Sequence, residues 1–336
     1  MTSLVYIGLV LTPFLLVTAF SAQVIRFCTA LKLFAPVSKR SAHKHLTPHG
    51  GGILVVSVVI PLALTFIQLV EIPHATFLTV LFLASAVLAI VGWLDDLKHR
   101  SPLVRLLAHL ACVGITVVYL PQLFDIVPLW VEKTIIIFAW AWFVNLYNFM
   151  DGLDGLTSSE AVFLCIAIML FAPPLGPIAG IIGSACLGFL RINWHPAKIF
   201  IGDVGSTWLG FILGGLLLLS LEWDTWSLIY PLFTVTLVFS GDATYTLLKC
   251  LAEGHKPWVP HRKFWFHRAA KLGLRHSTIV SWVILINAIL LVVAVAGHYM
   301  GAGIWTLVVG VGVISTVAWR IKILEKRIFD HDTKST

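Results

Sequence analysis

The chain has 336 residues, of which 59% are hydrophobic and only 12% charged, and its mean hydropathy is +0.95. Soluble chains carry about 25% charged residues, so this composition, with several apolar runs of spanning length, excludes a water-soluble globular protein and implies an all-α integral membrane protein. The net charge of +7 suits anionic lipid head groups or a phosphorylated substrate and gives no reason to invoke nucleic acid.

Breaks in the apolar pattern predict eleven spans, near residues 4–25, 51–70, 75–94, 103–120, 131–148, 159–172, 177–191, 205–221, 227–249, 277–298 and 301–320. The expectation is a polytopic bundle of about 10–11 transmembrane helices, forming one domain over residues 1–336. The runs ending at Leu120, Phe171 and Leu190 are short, and Pro121, Pro173, Pro174 and Pro177 interrupt the pattern, so tilted, kinked or re-entrant segments are expected there. The first run is too long for a signal h-region and lacks a small-residue cleavage site. Alternate connections segregate the cations: 22 of the 23 Lys and Arg fall on one side and only Lys133 opposite. The positive-inside rule then puts the N-terminus outside and the C-terminus and the large connections in the cytoplasm. Five cysteines, without CxxC or metal-like spacing, read as small apolar fillers.

In chain order, the first polar connection, residues 38–52, is cationic and then glycine-rich. Gly50, Gly51 and Gly52 would let backbone N–H groups approach a phosphate, with Lys44, His43 and His49 supplying charge; a flexible loop with a glycine hinge explains the pattern equally well. The third span ends in Asp95 and Asp96, adjacent carboxylates suited to a metal ion or a proton acceptor beside Lys98 or Arg105. The outer loop 121–130 carries no clustered chemistry and is expected to be structural. Asn145, Asn148, Asp151 and Asp154 follow at intervals of three, which would align them on one helix face, but Gly152 and Gly155 point to a helix end opening into a site. Such groups at membrane depth cost about 2.5–3.5 kcal/mol each, which argues for a function.

Residues 191–206 place Asp203 between Gly202 and Gly205, with Ser206 positioned to cap the next helix. In the last large connection, 250–276, basic and aromatic residues interleave around His261, Arg262 and His267. Either an amphipathic segment on the membrane or a grip on a substrate pyrophosphate fits. Carboxylates at several span ends, a glycine-rich opening and a basic loop suit Mg²⁺-assisted phosphoryl transfer, because Mg²⁺ takes few protein oxygens beside substrate phosphates.

On Thr47-Pro48 with the three glycines, Asp95-Asp96, the Asn145/Asn148/Asp151/Asp154 cluster, and the element Asn193, Pro196-Ala197, Phe200, Gly202-Asp203 and Gly205-Ser206, the chain resembles the polyprenyl-phosphate N-acetylhexosamine-1-phosphate transferases. That superfamily includes the phospho-MurNAc-pentapeptide translocase and the initiators of O-antigen synthesis. The resemblance implies transfer of a sugar 1-phosphate from a UDP-N-acetylhexosamine to undecaprenyl phosphate with release of UMP, at a cytoplasmic-facing site in the bacterial inner membrane, initiating an O-antigen-like surface polysaccharide. It implies Asp203 as Mg²⁺ (or Mn²⁺) ligand with Asn148 nearby, Asp95 or Asp96 engaging or deprotonating the lipid phosphate, and Asp151 in the active site. Phe200 and Asp154 would face the uracil. Asn145, Lys44, His45, Arg105, Asn193, His261, Arg262 and His267 would bind substrate, and a homodimer is compatible. Two positions depart from the O-antigen branch: His49 where that branch usually has Arg, and Phe264 where it has a second His. The competing reading is a membrane transporter of a nucleotide-sugar or lipid-linked substrate, with intramembrane acids as coupling-ion sites.

Overall fold

The computed structural model describes residues 3–34, 46–254 and 264–332. Lys44, His45, His261 and Arg262 lie outside them. Contacts divide the chain into two compact units, Met1–Thr225 and Trp226–Thr336.

The first unit holds α1 (Ser3–Ala30), α2 (Gly52–Leu69), α3 (Ala75–Leu97), α4 (Pro102–Val117), α5 (Leu129–Phe149), α6 (Leu156–Phe171), α7 (Gly176–Asn193) and α8 (Asp203–Ser220). The second is built from α9 (Thr225–Ala252), α10 (Trp265–Lys271), α11 (His276–Tyr299) and α12 (Gly303–Asp332). Each of the eleven predicted spans coincides with one helix, and α10 is the addition. Among the described residues eight helices are long and apolar enough to cross a membrane, so the protein is an all-α polytopic membrane protein. As the sequence suggested, α4 and α6 are short, at 16 residues each. All five cysteines are buried and unpaired with one another.

The first unit is organised on α8, in which sixteen of eighteen residues are buried. A helix apolar all round belongs in a core, and α8 packs against α2, α3, α5 and α6. Small residues set how closely it packs: a Cβ on Gly214 or Gly215 would come within 2.7 or 2.6 Å of the Trp140 ring on α5. Trp140 also stacks on Phe211 and donates Nε1–H to its carbonyl at 3.0 Å. From the other side Trp208 donates to Ser85 Oγ on α3 at 3.0 Å, so each buried indole N–H is satisfied.

α3 and α5 run antiparallel to α8, so their C-terminal ends meet its N-terminus at one end of the bundle. At the other end His74 Nε2 lies 2.9 Å from Glu222. There Glu132, 2% exposed, accepts the backbone N–H groups of Leu123 and Phe124, while Lys133 Nζ donates to the carbonyls of Leu120 and Pro121. The loop before α5 is thus held by the acid and the base that follow it.

In the second unit Thr234 meets Thr306 at 3.1 Å and Ser227 meets His298 at 2.8 Å. Asp242 on α9 accepts the Trp265 N–H at the start of α10 at 3.1 Å, and Arg268 pairs with Glu325 of α12. Phe264, Trp265 and Phe266 are buried. Their aromatic faces are therefore not laid out in a membrane interface, as the amphipathic reading of this segment required. His267, half-buried on α10, packs against Phe264 and Phe266.

Candidate active site

The site begins with the start of α8. A helix leaves its first N–H groups without internal partners, and residues 202–206 supply no side-chain cap. Gly202 turns the chain at φ +75°, a conformation that glycine adopts without strain. The acceptor comes from α3: Asp96 Oδ1 takes the Asp203 N–H at 3.0 Å and Oδ2 the Val204 N–H at 3.1 Å. Asp96 also accepts from His49 Nδ1 at 3.2 Å. The cap expected from Ser206 is not made. Ser206 lies inside α8, where its hydroxyl bonds back to the Gly202 carbonyl at 3.0 Å, because the fourth residue of a helix faces its own preceding turn. Asp96, expected to engage or deprotonate the lipid phosphate, spends its acceptors on N–H groups that orient Asp203.

Asp203, with 29% of its side chain exposed, receives Arg105 Nη1 at 2.9 Å on one oxygen and Asn148 Nδ2 at 2.9 Å on the other. The same Arg105 nitrogen lies 3.1 Å from Asp95 Oδ2, so one guanidinium bridges two carboxylates and offsets only one of their charges. Arg105 is presented by the first turn of α4, which opens with Ser101 Oγ accepting from Val104 N and with Pro102 at its first position. Asp95 is 2% exposed and also accepts the Arg100 N–H. Asn148, in the last turn of α5, donates additionally to Ser206 Oγ at 2.9 Å, which fixes its amide against α8. Asn145 is one turn back and bonds the Ala141 carbonyl of its own helix at 2.7 Å, so it does not join the cluster. Clustered carboxylate oxygens without thiolate, left with a net negative charge, would suit a hard divalent ion such as Mg²⁺. Asp203 and Asp95 fit as its carboxylate ligands, with Asn148 orienting Asp203 through its N–H.

After Phe149 the chain leaves the helix, so Asp151 and Asp154 do not share a face with the two asparagines. Asp151 accepts from Thr157 Oγ1 at 2.8 Å. Desolvation pushes its carboxyl up to about 7, reinforced by Asp203 and Asp96 and opposed by the Thr157 bond and by His49. Gly155, at φ +78°, starts α6. Asp154 is 1% exposed and turned inward, with Oδ2 2.7 Å from His195 Nδ1 and 3.2 Å from the Ala197 N–H. Asn193 works in parallel, accepting from Gly155 N and Ser158 Oγ and donating to the Ile199 carbonyl. The two residues fasten the turn 151–158 to the segment 193–199. Both side chains thus shape the loops, and Phe200, beyond the fastened segment, is half-buried.

The three glycines form neither an anion cradle nor a loose hinge. Gly51 N and Gly52 N donate to the carbonyls of Phe200 and Ile201 at 2.9 and 2.7 Å, and Phe200 N donates to Pro48 at 2.9 Å. A Cβ on Gly52 would lie 2.4 Å from Gly205 Cα. The glycines let residues 50–52 pack directly on the backbone that carries Asp203.

Of the predicted residues, Asp95, Asp96, Arg105, Asn148, Asp151 and Asp203 converge, Asp154, Asn193 and Phe200 border them, and Asn145 stays outside; His267 belongs to the second unit. His49, His195, Thr157 and Thr207 join the network, Thr207 through Asn148 at 3.4 Å. Among them His49 carried a signal, its position beside the glycines. Lone hydroxyls such as Thr157 carried none.

Comparison with known proteins adds a second line. The family model described as "Glycosyl transferase family 4" matches residues 78–221, from α3 to the end of α8. The chain is 26% identical over 320 residues to the "Decaprenyl-phosphate N-acetylglucosaminephosphotransferase" of Mycolicibacterium smegmatis, covering 83% of this chain and 79% of that protein. It is 26% identical over 287 residues, 80% of this chain and 77% of the other, to the "Probable undecaprenyl-phosphate N-acetylglucosaminyl 1-phosphate transferase" of Bacillus subtilis. To the "Phospho-N-acetylmuramoyl-pentapeptide-transferase" of a Synechococcus it is 35% identical over 168 residues, 44% of this chain and 48% of that one.

Proposed function

The chain belongs to the glycosyl transferase family 4 superfamily of polyprenyl-phosphate N-acetylhexosamine-1-phosphate transferases, and on that premise we propose that it transfers N-acetylhexosamine 1-phosphate from a UDP-sugar to undecaprenyl phosphate. The products would be a polyprenyl-diphosphate sugar and UMP. N-acetylglucosamine, the sugar in the names of two relatives, is the first donor to test. The lipid phosphate oxygen attacks the sugar-bearing phosphorus, a new P–O bond forms, and the P–O bond to UMP breaks.

The observation that carries this reading is the convergence of Asp203, Asp95, Asn148 and Arg105 at one end of the bundle. Phosphoryl transfer needs positioning and charge stabilisation more than covalent chemistry. Arg105 is available to exchange its carboxylate partners for substrate phosphate. A bound Mg²⁺, or Mn²⁺ in its place, would supply Lewis-acid charge to the donor pyrophosphate and the leaving UMP. Asp203 would hold it, aimed by Asn148 and by the Asp96 cap. Phe200 offers a ring for the uracil. Acids gathered at one end suit a substrate arriving from one aqueous phase and a lipid arriving from the bilayer, whereas a transporter's coupling sites lie near mid-span. The lysine and arginine distribution supports a cytoplasmic setting for this end, and initiation of an O-antigen-like polymer is the accompanying biological reading.

The test is UMP release by purified protein given undecaprenyl phosphate, Mg²⁺ and a panel of UDP-N-acetylhexosamines, beside Asp203→Ala. Metal-dependent release that is lost in the variant is the expected result and identifies the donor. No release with any donor, while lipid still binds, overturns the proposal.

A further inference from the structure

The transfer proposed above needs the acceptor phosphate monoester as a dianion at the moment of attack, and the two carboxylates expected to receive its proton are committed. Asp95 accepts from Arg105 and from the Arg100 N–H. Asp96 accepts from Asp203 N, Val204 N and His49 Nδ1. A proton on Asp96 would displace one of these donors and loosen the first turn of α8.

His49 is built differently. Because its Nδ1 faces a carboxylate oxygen at 3.2 Å, which can only accept, the neutral ring carries its proton on Nδ1 and its lone pair on Nε2. This is the arrangement by which a carboxylate fixes the tautomer and orientation of a functional imidazole. Among the described residues Nε2 has no hydrogen-bond partner, and 17% of the side chain is exposed. The mounting is rigid on both sides: His49 N donates to the Leu33 carbonyl at 3.0 Å, and Gly51 and Gly52 are bonded to Phe200 and Ile201. The charged groups facing this corner are Asp95 and Asp96 of α3, Arg105 of α4, Asp151 of the α5–α6 turn and Asp203 at the start of α8.

We propose that His49, oriented by Asp96, binds the acceptor phosphate monoester through Nε2 and takes up its proton; this rests on the transferase reading above. In the step, the monoester P–O–H loses its proton, an N–H forms on Nε2, and the freed oxygen attacks the sugar-bearing phosphorus as the bond to UMP breaks. The proton passes to water when products leave. The acceptor is the partner rather than the donor because a phosphate monoester has its second ionisation near pH 6, whereas the diphosphate diester of a UDP-sugar has no proton to give at neutral pH. A lone-pair nitrogen has a use only at the former.

The experiment compares wild type with His49→Gln, which keeps polar shape but takes no proton, measuring kcat and KM for both substrates between about pH 5.5 and pH 8.5. The expected loss of kcat/KM for undecaprenyl phosphate is about 100-fold or more at the acid end, the scale of general-base contributions. It should shrink below about tenfold at the alkaline end, where the phosphate is already a dianion, while KM for the UDP-sugar stays near the wild-type value. A deficit equal at every pH, one falling on the UDP-sugar, or no deficit at acid pH overturns the assignment. If His49→Gln does not fold, ¹⁵N-histidine spectra of wild type decide: farnesyl phosphate should move one Nε2 resonance towards its protonated position, and no movement in any of the 13 histidines overturns the proposal. Wild type that turns over beside an equally active His49→Gln refutes this role alone. Wild type that releases no UMP with any donor refutes the transferase reading, and the spectra still test His49.

Discussion

Replacing Asp96 by Asn tests whether this acid works through the backbone of α8 or directly on substrate. The carboxylate accepts two N–H groups of the first turn at 3.0 and 3.1 Å, and the one oxygen of Asn can serve only one of them. The other N–H would face the amide NH₂. Losing one charge-assisted bond and leaving a buried donor unsatisfied costs about 1.5–3 kcal/mol. At about 1.4 kcal/mol per factor of ten, that is roughly 10–150-fold in the population with Asp203 correctly aimed. The assay is UMP release across a Mg²⁺ titration, with the thermal midpoint of the purified protein recorded alongside. Half-saturating Mg²⁺ should rise about tenfold or more, the rate should fall by a similar factor, and the midpoint should drop. Asp96→Asn with unchanged metal requirement and unchanged midpoint but an abolished rate would refute the capping argument and leave Asp96 acting on the lipid phosphate, directly or through His49.

Other perturbations separate scaffold from chemistry. Gly52→Ala would drive a Cβ to 2.4 Å from Gly205 Cα, where only backbone can give way, so the protein should lose about 2 kcal/mol or more of stability; a midpoint within 1 °C of wild type would contradict this packing. Glu132→Gln, at the far end of the bundle, removes a charged acceptor from Leu123 N and Phe124 N and should lower the midpoint while leaving UMP release unchanged. Asn193→Ala unties Gly155, Ser158 and Ile199 and should raise KM for the UDP-sugar more than it lowers kcat, as steady-state kinetics would reveal. Asp151, raised from 3.8 to about 7 in the metal-free protein, holds a proton there that the unfolded chain has lost. Its contribution to stability is therefore full below about pH 4 and declines as pH rises towards 7, and Asp151→Asn should flatten that part of a stability-against-pH curve measured with chelator present.

Much of this architecture was readable because its signals are strong. Apolar runs of about 20 residues can hardly be anything but spans, and each became a helix. Carboxylates and amides at the ends of such runs are costly enough to imply a use, and Asn148, Asp151 and Asp203 came together as that cost suggested. What stayed hidden was direction at the level of single atoms. Asp96 lies 107 positions from the N–H it caps, and no spacing rule reaches that far. Three successive glycines serve a phosphate or a neighbouring backbone equally well; Gly205 as the partner of Gly52 decides for the backbone. Ser206 has the composition of a cap but sits one turn too late. Aromatic residues beside cations occur on a membrane surface and in a core alike. The sequence therefore left the segment of Phe264, Trp265 and Phe266 open between an interfacial stretch and a pyrophosphate grip, and burial of the three rings was not legible.

These misreadings share a cause, and it bears on how the site should be probed. The polar residues divide into groups whose hydrogen bonds fix backbone and loops (Asp96, Asp154 and Asn193) and groups that the proposed reaction uses directly (Asp203, Asp151, Arg105 and His49). The first set fixes the second: Asp96 aims both Asp203 and His49, while Asp154 and Asn193 join the turn carrying Asp151 to the segment leading to Phe200. Alanine at any member of either set would lower turnover, so loss of activity by itself cannot tell them apart. Metal requirement, acceptor-specific pH dependence and thermal midpoint can. A scaffold residue should move the midpoint together with the apparent affinity for whatever its partner holds, whereas Asp203 or His49 should change the rate law while the fold stays as stable as before.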